Sequence, residues 1–103
     1  MWRDILKDNE LDKKFWARAD QFINLANEQS QEVGPGEVSS SLLFAAARFN
    51  AFVAAATARD IDELKKNKED AIRYFSNQYY EMFVENIEDW IENYDKHINN
   101  NNV

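Results

Sequence analysis

The segment SSLLFAAARFNAFVAAATA, residues 40–58, decides how the chain folds. Eight of its nineteen residues are alanine, the strongest helix former, and large apolar side chains occupy most other positions. A surface helix carries a broad polar face, whereas the polar side chains here leave only a narrow line. We therefore expect a helix that the rest of the molecule buries.

The same segment is nearly long enough to cross a membrane, which takes roughly 20 predominantly apolar residues. Arg48 and Asn50, however, lie at its middle. A central arginine alone costs roughly 2.5–3.5 kcal/mol on membrane-insertion scales. We therefore predict a buried helix of a soluble protein, with no membrane as a partner.

Glycine and proline are scarce, and all three lie together at Gly34-Pro35-Gly36. So few turn-forming residues favour a small number of long helices with short connections. The apolar spacing predicts an all-α fold with helices at about 9–32, 39–58 and 68–97 and a short helical piece at about 61–66. We expect the long helices to form an up-down-up bundle.

Several local signals predict where these helices begin and end. Gly34 suits a left-handed cap after the first helix, and Ser39 or Ser40 suits the N-cap of the second. Asp60 and Glu63 form a capping box, and Asn67 resembles another N-cap. We predict a single domain over residues 1–98, in which residues 1–8 form a docked turn or a frayed end, and a disordered tail at 99–103.

Composition and charge exclude several classes of function. The chain has no cysteine, which rules out disulfides and thiol chemistry and is typical of a cytoplasmic protein. Its net charge is −7, of which residues 67–103 contribute −5 (three basic and eight acidic residues). An acidic chain without a basic stripe is a poor candidate for binding nucleic acid.

No arrangement of residues predicts catalysis, a cofactor or a metal site, so we expect no enzyme. His97 is the single histidine, and we interpret it as a solvated residue near a helix C-terminus. One stripe of carboxylates recurs at helical spacing: Glu81, Glu85, Glu88, Glu92 and Asp95. It favours a solvated outer face, although weak cation binding or a basic partner would suit it too.

Two polar residues in the central segment have alternative interpretations. Asn50 points into the apolar side, as a hydrogen-bonded core amide or as a ligand contact. Arg48 forms an ion pair or reaches solvent, or else it recognises an anion in a small pocket with Asn50, Asn24 and Tyr79. The second alternative would make the protein a small-molecule or anion-binding bundle.

The third predicted helix is longer than the others, and its surplus carries Ile87, Trp90, Ile91 and Tyr94. Exposed aromatic patches mark interaction sites, and a second copy related by a two-fold axis would cover this one. We therefore predict a homodimer with these four residues at its interface. The function favoured by the sequence is a homo-oligomeric protein-interaction module, whose partner is itself or another protein.

Two segments of the chain resemble a known family. They are FWARADQFINLAN, residues 15–27, and SLLFAAARFNAF, residues 41–52, of which ARFNAF is the most specific part. The sequence is similar there to a family of short bacterial proteins catalogued only as a domain of unknown function, over about residues 15–94. The resemblance implies bacterial origin and an all-helical fold, and it transfers no active site.

Overall fold

The computed structural model describes residues 9–100, and the side chains of residues 12–99. It contains four helices: α1 (Asn9–Val33), α2 (Pro35–Thr57), α3 (Ile61–Glu92) and α4 (Tyr94–Asn100). This range includes no β-strand, so the predicted all-α fold of three long helices and one short helix is confirmed. The predictions made for residues 1–8 lie outside the described residues.

A single residue separates α1 from α2. Gly34 has a positive φ of 94°, and its N–H donates to the Ser30 carbonyl at 3.0 Å, which confirms the predicted left-handed cap. Pro35 then opens α2 at once, four residues before the predicted start at residue 39. Proline suits this first helical position, because its φ is already helical and the position needs no N–H donor.

The junction between α2 and α3 contains half of the predicted capping box, and the return bond from Glu63 reaches Arg59, one residue before the Asp60 cap. Asp60 Oδ1 accepts a hydrogen bond from the Glu63 N–H at 2.8 Å. The Glu63 carboxylate in turn accepts from the backbone N–H of Arg59 at 3.1 Å and from its Nε at 2.7 Å. The predicted separate piece at 61–66 is wrong, since α3 continues through Asn67. An interior asparagine costs less than about 1 kcal/mol, which is too little to end a long helix.

α3 ends at Glu92, five residues before the predicted end at residue 97, and Asn93 is its C-cap. The side-chain Nδ2 of Asn93 donates to the Asp89 carbonyl at 3.3 Å and to Asp89 Oδ1 at 3.0 Å. Asparagine competes with the helix in this way by binding nearby groups with its own side chain. The short helix of the fold is therefore α4, and it extends to Asn100, two residues into the predicted tail. Residues 101–103 lie outside the described residues.

The chain divides into two compact units, and the boundary falls within α2 between Leu43 and Phe44. The single domain and the up-down-up order stay predictions. The unequal helix lengths are present: α1, α2 and α3 contain 25, 23 and 32 residues. At 1.5 Å per residue, α3 is about 48 Å long, against roughly 38 Å for α1 and 35 Å for α2.

Burial corrects the prediction for the central helix. Among the described side chains only that of Val38 is buried, with 6% of its surface exposed, and every residue from 41 to 49 is exposed. The second unit contains no buried side chain in its described part. An apolar composition indicates that the side chains of a helix are stable when they are shielded from water. It does not show whether the same chain or another molecule shields them.

Candidate interaction surface

One face of α3 carries four large apolar side chains that the chain leaves open. We name Ile72, Tyr79, Phe83 and Ile87 the α3 apolar face; they follow one another at spacings of seven, four and four residues. These spacings place them on one side of a helix. Their exposed fractions lie between 45% and 51%, and the rings of Tyr79 and Phe83 stack with centroids 5.9 Å apart. Of these four residues, the sequence predicted Ile87 at an interface and Tyr79 in a ligand pocket.

The four predicted interface residues extend this face toward the end of α3. Ile91 is 73% exposed, and Ile87 and Tyr94 are also open. Trp90 is half-buried, because its ring lies 6.5 Å from that of Tyr94 and 4.7 Å from that of His97, measured between centroids. Their accessibility suits an interface, but their role stays a prediction.

His97 is not the solvated residue that the sequence suggested. Its Nε2 lies 2.8 Å from Asp89 Oδ2, at hydrogen-bond distance, and its ring packs against Trp90. The Asp89 carboxylate also accepts a hydrogen bond from the Asn93 side chain. This one carboxylate therefore connects the end of α3 to α4. The sequence signal was weak, since eight residues and a helix break separate Asp89 from His97.

The environment of Asp89 changes its acidity. The hydrogen bond from His97 lowers the pKa of the Asp89 carboxyl below its usual 3.8, against the opposing effect of desolvation. The Asn93 side chain and the positive charges of His97 and Lys96 lower this pKa further. Asp89 therefore stays ionised, and holds the helix junction, across the neutral and mildly acidic range.

The second unit also begins with exposed aromatic side chains from α2. Phe44, Phe49 and Phe52 are 62–66% exposed, and the rings of Phe49 and Phe52 lie 5.7 Å apart. By length and composition α2 is able to cross a membrane, a test that the core helix of a soluble protein also passes. The exposed apolar surface of α2 is therefore of the kind that protein or lipid shields from water.

A groove of about 290 Å³ lies between the end of α2 and the first half of α3. Most of its lining is apolar, including Val53, Leu64 and Phe75. Among its polar groups, the Thr57 hydroxyl donates to the carbonyls of its own helix and Asp70 binds Arg73 at 3.0 Å; Asn67 and Tyr74 also line it. The groove suits an apolar side chain better than an anion.

The four predicted ligand-binding residues are divided between the two units. Asn24 lies in the first unit, and the other three lie in the second. Arg48 and Asn50 are two positions apart in α2, which places them roughly 200° apart around the helix. Arg48 is exposed and forms no ion pair within the described part of the chain. A binding role for Arg48, Asn50, Asn24 and Tyr79 stays a prediction.

The carboxylate stripe of α3 and α4 forms no evident metal site. No group of three histidine or carboxylate side chains able to hold a metal occurs among the described residues. Residues 77–92 nevertheless contain five acidic and no basic side chains. This end of α3 therefore carries a strong negative field, which matters for any protein that packs beside it.

Comparisons with known proteins give a family and a structural relative. A family model for proteins of unknown function (DUF3144) matches residues 15–91. A protein from Shewanella sp., NB7890A, whose structure was determined by NMR, is similar at 38% sequence identity and a TM-score of 0.69. The match covers 84% of this chain and 92% of that one. The comparison with curated proteins gives no match.

Proposed function

Because the chain belongs to the DUF3144 family of proteins of unknown function, we propose a function from its own surface: it is a homo-oligomeric protein-interaction module. The observation that carries this proposal is the open apolar surface of the second unit. A unit with no buried side chain in its described part lacks the core that a folded domain requires. A partner that covers the surface would supply this core.

The size of the open surface fits a protein interface. Eight aromatic side chains of the second unit are at least half exposed: Phe44, Phe49, Phe52, Tyr74, Tyr79, Tyr80, Phe83 and Tyr94. Each leaves roughly 100 Å² open, which gives roughly 800 Å² in all. One partner contributes about this area to a standard interface. Aromatic residues are also the side chains most enriched at the centres of such interfaces.

A membrane would cover α2 in a different way, and Arg48 argues against it. Spanning would place the guanidinium near the bilayer centre, where its cost is roughly 2.5–3.5 kcal/mol. Covering α2 with protein leaves Arg48 free to reach solvent along its own side of the helix. The proposal therefore predicts a protein that is soluble without detergent and does not float with lipid vesicles.

Light scattering during size-exclusion chromatography tests the proposal directly. A chain of 12.1 kDa should elute at twice that mass or more across a dilution series at micromolar concentrations. A constant mass of one chain would overturn the proposal. Recovery only in detergent or in vesicles would overturn it in favour of a membrane helix.

A matched pair of variants tests whether α3 provides the contact. Phe83→Ala should weaken association by roughly 30-fold, the effect of losing about 2 kcal/mol at an interface hot spot. Asn77→Ala is the control, because Asn77 is exposed on the same helix about a third of a turn away. Equal dissociation constants for the two variants would show that Phe83, and with it this face of α3, does not contribute to the interface.

A further inference from the structure

The junction between α1 and α2 is too short for the two helices to lie side by side. Only Gly34 separates them, whereas antiparallel helices in contact are joined by roughly 2–5 residues. The pattern of exposure agrees with this restriction. Every residue of α2 from 41 to 49 is exposed, and so are Phe22 and Leu25 of α1. The chain therefore leaves the apolar side chains of α1 open.

The junction between α2 and α3 is longer, and these two helices pack together. Residues 58–60 separate them, and the groove between them is lined by Val53 of α2 and by Leu64, Ala71 and Phe75 of α3. The α3 apolar face lies roughly a quarter of a turn away from this row of α3 residues. A helix in a three-helix bundle contacts its two neighbours on adjacent sides. α3 therefore carries the side that a third helix would cover.

α1 carries an apolar side that suits this place. Phe22, Leu25 and Val33 follow one another at spacings of three and eight residues, which places them on one side of the helix, and each is more than half exposed. Together with the four residues of the α3 apolar face, they leave roughly 700 Å² open on each copy. A standard interface takes about 800 Å² from each partner, so reciprocal contact between α1 and α3 provides the area of a stable dimer.

We propose that two copies of this chain exchange α1, so that α1 of each copy packs on the α3 apolar face of the other. Short connections that prevent an element from folding back onto its own chain favour such an exchange. The contact is reciprocal about a two-fold axis, so it covers both copies of α1 at once. The inference rests on the proposed function, since it names the segment of the second copy that covers the open surface.

Lengthening the first junction tests the exchange. An insertion of Gly-Ser-Gly-Ser between Gly34 and Pro35 gives a connection of about five residues, which is long enough for α1 to fold back onto its own chain. The effective concentration of a segment on a short flexible linker is about 1 mM, which exceeds that of a second copy at about 10 μM by about 100-fold. Light scattering at that concentration should therefore show one chain for this variant and two for the natural protein.

The same insertion between Ala58 and Arg59 is the matched control, because it lengthens the second junction and keeps the Asp60 cap. This control should remain a dimer. A dimeric natural protein whose Gly34 insertion variant is also dimeric would overturn the exchange and leave the proposed function in place. Loss of the dimer from both insertion variants would count against the exchange as well, since the effect would not depend on the first junction. A monomeric natural protein would overturn both proposals.

Isotope-filtered NMR gives a second measurement on the natural sequence, without any substitution. In mixed dimers of labelled and unlabelled chains, the filter retains only contacts between copies. The methyl protons of Leu25 in one copy should contact side chains of the α3 apolar face, such as the rings of Tyr79 and Phe83, in the other. Contacts between copies that join α3 to α3 and never involve α1 would refute the exchange even in a stable dimer.

Discussion

At the scale of single residues, the two glycines of the first junction have opposite roles. Gly34 has a φ of 94°, and a Cβ there would meet no atom within 4 Å, so any cost of substitution is backbone strain. Gly36 lies within α2 at an ordinary helical φ, and it has open space around it too. The two positions therefore separate the effect of left-handed backbone from the effect of side-chain volume.

Gly34→Ala should lower the free energy of unfolding by about 1–2 kcal/mol, because L-residues pay that much in the left-handed region. Gly36→Ala should raise it by about 0.4–1 kcal/mol, since alanine restricts the unfolded chain and favours the helix. Urea unfolding at one fixed protein concentration measures both. Destabilisation by both substitutions would contradict the assignment of Gly36 to α2.

At the scale of the helices, local chemistry allowed several ends to be predicted from sequence. The left-handed Gly34 cap and the bond from the Glu63 N–H to Asp60 depend on residues at most four positions apart. The start of α2 was predicted later, at residue 39, because the helical φ of Pro35 was not used as a start signal. Asn67 and Asn93 have the same residue type but different outcomes: α3 continues through Asn67, whereas Asn93 caps its end and donates to Asp89 through its side chain.

The candidate interaction surface was less predictable, because a single sequence does not show whether an apolar helix face contacts its own chain or another molecule. The apolar spacing of α3 predicts a helix with one apolar side, a pattern that a core and an interface share. No pattern in a single chain distinguishes the two, so the exposure of α2 was not foreseen. The contact between Asp89 and His97 also crosses a helix break, where helical spacing no longer applies.

The junction of α3 and α4 should loosen in acid. Since the pKa of Asp89 is lower in the folded state than its usual 3.8, its contribution to stability is present above about pH 4 and is lost as pH falls through the lowered pKa. Asp89→Asn should reproduce this loss at neutral pH. Hydrogen exchange should then become faster at residues 94–100 and remain unchanged in the first half of α3.

Asp95→Asn is the matched control for this prediction, because it removes the same charge from the first turn of α4 without touching His97. Equal exchange in the two variants would show that charge alone, not the Asp89 contact, orders α4. An Asp89→Asn variant with unchanged exchange would show that the backbone bond from Asn93 to Asp89 is sufficient.

At the scale of the whole molecule, self-association makes thermal stability depend on protein concentration. If the second unit obtains its core from another copy, unfolding and dissociation are one process. A tenfold rise in concentration then adds about 1.4 kcal/mol to the stability of a dimer. With an unfolding entropy of roughly 2.1 cal/mol/K per residue in both chains, the melting temperature should rise by roughly 3 °C.

Circular dichroism between 1 and 100 μM, about two tenfold steps, would show a total rise of roughly 6 °C. Phe83→Ala supplies the comparison, because a weakened dimer should melt at a lower temperature at every concentration. A melting temperature independent of concentration, in a protein that light scattering shows to be dimeric, would mean that each chain folds before it associates. The apolar surface would then be a docking face on a stable monomer, and the core would have to lie within one copy.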